Sequence, residues 1–187
     1  MTDLEMRAQS IIDACVNEKS TSPYQIFKDV AGMSFVRMHG PEHHVLDGAC
    51  ILTAFRNAGG QIDLPKALLE LMQRGLQMPG AMCGMWGVCG STTSVGAALS
   101  ILEGTGPLSQ DDSWGSHMDY TSRALQGLAG IGGPRCCKRD AYVSIETAID
   151  YIAQRYQVQL EKDSIRCSFY PQNGQCLKEG CPYYPRQ

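Results

Sequence analysis

Neither sign of charge dominates this chain. It carries 16 Lys and Arg against 19 Asp and Glu over 187 residues, a formal net charge of −3. That balance excludes the basic footprint of a nucleic-acid binder and the polybasic surface of a membrane-associated protein. Long hydrophobic runs are missing too. The one extended stretch without charge, Gly75 to Leu102, is broken by glycines and by Ser91, Thr92, Thr93, Ser94 and Ser100. It is too polar to cross a bilayer and reads as a buried, close-packed helix. Nucleotide-binding signatures are also lacking. There is no phosphate-binding loop, Gly130-Ile-Gly-Gly has no preceding strand pattern, and no Gly-x-Ser-x-Gly elbow occurs. The first twenty residues hold charges throughout, so they are not expected to be a signal peptide.

What is plentiful is cysteine, nine in all, with nine methionines and twenty glycines. An odd number of cysteines without an export signal points to the reducing cytoplasm. There, clustered thiols serve as metal ligands or reactive groups rather than disulfides.

Helical patterning dominates. Thr2 and Glu5 form a capping box, followed by Leu4, Ala8, Ile11, Ile12 and Cys15 on one face. Further helices are expected over Tyr24 to Val30, Glu42 to Ala58, and from Asp63-x-Pro65 to Gly75. Others should follow over Val88 to Glu103, from Ser116 or Asp119 to Leu128, and over Asp140 to Tyr156. Strand-like alternation is confined to Gln157–Leu160 and Arg166–Tyr170. The expectation is a mostly α protein, a bundle of six or seven helices around the glycine-rich one. Residues 1–160 would form that body and 161–187 a cysteine-rich metal-binding tail packed on it.

Four constellations carry chemistry. In the tail, Cys167-x8-Cys176-x4-Cys181-Pro182 sits in a segment with little aliphatic content. Soft thiolates suit zinc or an iron–sulfur cluster, and a metal would supply the folding energy that burial cannot. A fourth ligand is missing from that run, and Cys136 or Cys137 could provide it. The second constellation is Cys83-Gly-Met-Trp-Gly-Val-Cys89-Gly90. Gly84, Gly87 and Gly90 allow a close backbone approach to a bound group, and the turn opens onto a helix whose N-terminus favours a thiolate. Trp86 would wall this site from water. The competing reading is a glycine-packed core turn with two small hydrophobic cysteines.

The third constellation, Pro134-Arg135-Cys136-Cys137-Lys138-Arg139, again delivers cysteines to a helix start, with three cations beside them. Positive charge at a helix N-terminus lowers a thiol pKa. A vicinal pair rarely closes on itself, but each thiol can face a different partner. The fourth is Glu42-His43-His44-x2-Asp47-x2-Cys50, where both histidines share a helix face with Asp47. A carboxylate beside imidazole supports metal ligation or general-base work. A plain cap or surface histidine is the blander alternative. On these grounds the candidate catalytic set is Cys83, Cys89, His43, His44 and Asp47. Gly84, Gly87, Gly90 and Arg135 would hold a cofactor. Cys136, Cys137, Cys167, Cys176 and Cys181 would bind metal.

Together, Pro41–Gly48, the Pro79–Gly90 core, Pro134–Arg139 and the three-cysteine tail resemble an uncharacterised cysteine-rich family of anaerobic bacteria and archaea. Its members are sometimes fused to S-adenosylmethionine-dependent methyltransferase domains. The resemblance runs over about residues 40–183. It implies no established activity, and it suggests a separate methyltransferase or redox protein as partner. The leading expectation is a cytoplasmic iron–sulfur or zinc thiol/redox protein of electron or sulfur transfer. Cys83, Cys89, Cys136 and Cys137 would converge, with a histidine as ligand or proton carrier. A zinc-stabilised interaction module and a metal-free cysteine-nucleophile enzyme are the other two readings.

Overall fold

The computed structural model describes residues 1–186, and those residues form a helical bundle. The first helix, α1 (Asp3–Asn17), opens on the expected capping box and buries Ala8, Ile11, Ile12 and Cys15. The second, α2 (Pro23–Ala31), is capped by Ser22, whose hydroxyl accepts from the Gln25 N–H at 3.0 Å. Then come α3 (His43–Asn57) and α4 (Leu64–Gly75). A four-residue turn of helix, α5 (Met82–Met85), precedes α6 (Gly90–Glu103). The last two are α7 (Ser113–Ile131) and α8 (Cys137–Tyr156).

Two helices share the centre. α3 packs against α1, α2, α4, α6 and α8, while α6 packs against α3, α4, α7 and α8. Every residue of α3 from His43 to Phe55 is buried. The two come very close because of Gly48. A Cβ there would stand 2.6 Å from the Ser94 carbonyl oxygen, and the Gly48 N–H instead donates to Ser94 Oγ at 3.0 Å. The second half of the uncharged stretch, α6, is therefore an interior helix, whereas residues 77–88 form a largely exposed loop that includes α5. Among the described residues no helix is long and apolar enough to cross a membrane.

Three boundaries differ from the sequence reading. α7 begins at Ser113, ahead of Ser116, because Asp111 Oδ1 accepts from the Ser113 N–H at 3.0 Å. It also runs through Gly127 and Gly130 to Ile131, past Leu128, and stops where Gly132 takes a φ of +79°. α8 begins three residues early. The Cys136 sulfur accepts from the Arg139 N–H, which turns the chain into a helix at Cys137 instead of Asp140. The alternating stretches at 157–160 and 166–170 are not strands. No strand occurs among the described residues, and the second segment makes an isolated bond from Cys167 N–H to Tyr183 O at 2.8 Å.

Residues 157–186 contain only two short 3-10 turns, Tyr170–Gln172 and Lys178–Gly180. They are fastened to the bundle by side chains. Tyr24 OH donates to the Arg166 carbonyl at 2.9 Å, Ser22 Oγ to Asp163, and Tyr183 OH to Glu146 on α8. The Tyr183 ring lies edge-on to Tyr142 at 5.1 Å, and Tyr142 in turn contacts Tyr24 and Phe27, each at 5.5 Å. Edge-to-face pairs of this kind add to the burial of the rings themselves. They join the tail to the core of α2 and α8.

Candidate functional site

The N-termini of α3, α6 and α8 meet, with the loop before α6 laid across them. Between them opens a cleft of about 310 Å³. Cys83, Cys89 and Cys137 line it, with His43, His44, Arg37, Arg135 and Asp140. Cys89 is the residue before α6, and its thiol stands 3.7 Å from Asp140 Oδ2. Gly90 is present for a steric reason. A Cβ at this position would fall 2.1 Å from His44 Nε2, so the imidazole packs directly against the start of α6. A broader cavity of about 750 Å³ adjoins the cleft and shares Cys83, Cys89, Arg135 and Asp140 with it. Gly84 and Gly87 line only this outer space.

Beneath the cleft runs a buried polar chain. His43 Nδ1 is 3.4 Å from Asp47 Oδ1, and the Lys138 ammonium lies 3.2 Å from His43 Nε2. Lys138 also donates to the Arg37 carbonyl at 3.1 Å and sits 4.9 Å from the centre of the Phe169 ring. His43 Nε2 is also 3.3 Å from the Arg37 carbonyl, so the imidazole links Asp47 on one side to Lys138 and that carbonyl on the other. Burial lowers the Lys138 pKa to about 8, against the opposing pull of Asp47. Asp47 is fully buried, and its Oδ2 has no partner. His44 faces the cleft instead, and burial lowers its pKa.

The rim is set by a second ion pair. Arg37 donates to Glu42 through Nη2 at 2.7 Å, Nε at 3.0 Å and its backbone N–H at 2.8 Å. Burial alone would raise the Glu42 pKa, but these bonds outweigh it and hold the carboxyl at about 2.

The expectation of thiolates at the helix starts fails. Burial is the largest influence on each of the three thiols at these positions. It raises Cys89 well above the ordinary thiol range, helped by the Asp140 charge. It pushes Cys137 up to about 12, with Asp47 and Asp140 acting in the same direction. Cys136 is raised as well. The helix N-termini and nearby cations are outweighed by desolvation and by carboxylates contributed from α3 and α8.

Nor do the four cysteines expected to converge all do so. Cys83, Cys89 and Cys137 share the cleft, but Cys136 turns to the far side of the α8 start. There it lines a small cavity of about 20 Å³ with Cys167, Cys176 and Cys181. Of the five cysteines proposed for metal, four therefore share one cavity and Cys137 stands apart from it. Among the described residues no group of three or more His, Cys, Asp or Glu side chains is arranged to hold a metal ion. The last two cysteines, Cys15 and Cys50, are fully buried and face each other between α1 and α3. Trp86 does not wall the site. It is 65% exposed, because the loop carries its side chain outward.

Lys138, Arg37, Asp140 and Tyr142 were not singled out from the sequence as site residues. Lys138 and Asp140 are adjacent to the Cys136-Cys137 motif, which is the one signal that could have found them. Arg37 and Tyr142 carry no local signal.

A model of the Family of unknown function (DUF5714) matches residues 11–184, and the chain belongs to that family. No curated protein and no solved structure matches it.

Proposed function

We propose that this chain is a metal-binding thiol protein that works in electron or sulfur transfer. The supporting observation is the division of the vicinal pair. Adjacent residues Cys136 and Cys137 open into two different thiol-lined cavities, one with the tail cysteines and one with Cys83 and Cys89. On this reading the tail cavity holds the metal, an iron–sulfur cluster or zinc, and the cleft carries the thiol chemistry. Cys83 is the exposed thiol that an incoming disulfide or persulfide meets first. Oxidation of two cleft thiols to a disulfide passes two electrons to the acceptor and releases two protons, for which His44 is a nearby base. A cytoplasmic setting, anaerobic metabolism, and a separate redox protein or methyltransferase as partner complete the reading.

The raised pKa of Cys89 and Cys137 weighs against either of them as the attacking thiol, so the first attack is assigned to the exposed Cys83. Differential alkylation with mass spectrometry tests the proposal. The full chain is purified anaerobically, analysed for metal, and incubated with a dithiol reductant or a small disulfide. Stoichiometric metal is expected, with Cys83 and at least one of Cys89 and Cys137 changing state reversibly. Cleft thiols whose labelling is the same in both states would overturn it. Stoichiometric zinc with that inert cleft would favour the interaction module.

A further inference from the structure

We infer that Cys136, Cys167, Cys176 and Cys181 are the four ligands of a [4Fe–4S] cluster, to which the Tyr142 hydroxyl donates a hydrogen bond. The inference rests on the metal-binding reading above and fixes both its metal and its ligand set. These four thiols come from the cap of α8 and from the tail, and one cavity gathers them. Its remaining wall is largely aromatic and aliphatic, including Tyr142, Tyr170, Leu177 and Tyr184. Such a shell keeps water from a cluster and lowers the local dielectric.

The size of the cavity separates a cluster from a single ion. Tetrahedral zinc holds its sulfurs at about 2.3 Å, which leaves no room for anything else among them. The cavity that the four thiols help to line is about 20 Å³, and a single water needs roughly 10–15 Å³ on that measure. A cavity with room for a water-sized body is wider than four sulfurs closed onto one ion would leave. A cubane places each thiolate on its own iron, so its ligands surround a larger body.

Tyr142 points to the same occupant. It is 1% exposed, its hydroxyl makes no well-formed hydrogen bond, and it lines this cavity next to the Cys167 thiol, its one sulfur neighbour of note. A buried donor without an acceptor is costly, and such groups are rare in native proteins. A cluster sulfide or a coordinated thiolate supplies the acceptor. Donors to sulfur are already in place elsewhere in the cavity. Arg139 N–H and Asn173 Nδ2 reach Cys136 Sγ at 3.5 and 3.4 Å, and Lys178 N–H reaches Cys176 Sγ at 3.3 Å. Hydrogen bonds to the sulfurs stabilise the thiolates and set the reduction potential. Each thiol gives up its proton as iron binds.

The test uses the full chain, purified anaerobically and reconstituted with iron and sulfide under a thiol reductant. The expected result is about four iron and four acid-labile sulfide per chain, with a visible band that bleaches on reduction by dithionite. Cys136→Ser and Cys176→Ser should lose the band and the sulfide, while Cys137→Ser keeps both. Far-ultraviolet circular dichroism of each variant checks that the helices persist. Tyr142→Phe should keep the cluster but lower its reduction potential, an effect that a purely structural tyrosine would not produce. An unchanged potential would remove Tyr142 from the proposal. One zinc per chain, bound without sulfide, would overturn the cluster while leaving the metal-binding reading intact. So would a cluster kept in Cys136→Ser but lost in Cys137→Ser, which would place it in the cleft. No metal in any preparation would overturn both proposals.

Discussion

Two cavities lie back to back across the first residues of α8, and they differ in size and in the chemistry of their walls. The cleft is about 310 Å³, with histidines, two arginines and a carboxylate among its thiols. The tail cavity is about 20 Å³ and sets four thiols within an apolar wall. Mixed charge and open space suit a molecule that comes and goes. A small, sulfur-rich space suits a group that stays. The two differ in support as well. The cleft is framed by three helix ends embedded in the bundle, whereas most of the tail cavity is framed by residues 157–186, which have two 3-10 turns and no longer helix. A segment with so few regular backbone bonds depends on what it is fastened to.

The largest expected effect breaks the comparison at that point. If the tail cavity holds metal as proposed, removing it with a chelator under reducing conditions should lower the apparent stability by about 4 kcal/mol, the linkage expected of a ligand present at a thousand times its Kd. Native-state hydrogen exchange should localise the loss. The Cys167 amide, which bonds the Tyr183 carbonyl at 2.8 Å, should exchange faster, while amides in the middle of α3 keep their protection. Faster exchange at the cleft with an unchanged tail would reverse the assignment of resident and transient occupants.

A smaller effect concerns the rim of the cleft. Arg37→Ala leaves the fully buried Glu42 carboxylate without its guanidinium. The expected cost is about 2 kcal/mol at neutral pH, near the lower end for such losses because Arg37 is partly in water. The pH dependence identifies the cause. Glu42 titrates at about 2 in the folded chain against an ordinary value of 4.5. Its contribution is therefore complete above pH 4.5 and is lost as pH falls through 2. Urea unfolding of both proteins should show the difference between them shrinking over that window. A constant difference would mean that Arg37 acts through packing alone.

Much of this arrangement was readable from local pattern. The Thr2/Glu5 capping box, the apolar face of α1 and the small-residue stretch of α6 each specify their own structure, because caps and periodicity act within a few residues. What escaped depends on groups brought from far along the chain. Lys138 and His43 are 95 residues apart in sequence, and Cys89 and Asp140 are 51 apart. The thiolate expectation failed for this reason: the cations beside Cys136 and Cys137 are local, but the burial and the Asp47 charge that outweigh them are tertiary. The early start of α8 escaped differently. Its cap is a cysteine sulfur, which is not among the side chains that ordinarily signal a helix start. The vicinal cysteines could be read as a pair with two partners, but which cysteine faces which cavity is decided by the helix phase once Cys136 becomes the cap.

The smallest effect on stability belongs to Cys83, and it sharpens the comparison most directly. Cys83 is exposed on the short α5, and no hydrogen bond from its side chain holds any other element in place. Cys83→Ser should therefore change stability by no more than about 0.5 kcal/mol, as surface substitutions usually do. Its chemical consequence should be large. If the cleft receives a passing disulfide or persulfide, the variant should lose exchange with a small disulfide while its metal content matches that of the unaltered chain. Thermal melts, metal analysis and exchange rates on the same preparation separate the possibilities. A variant that exchanges at the original rate would move the reactive thiol inward, to Cys89 or Cys137. In that case the raised pKa of those thiols would have to fall when a substrate enters, because exchange requires a thiolate.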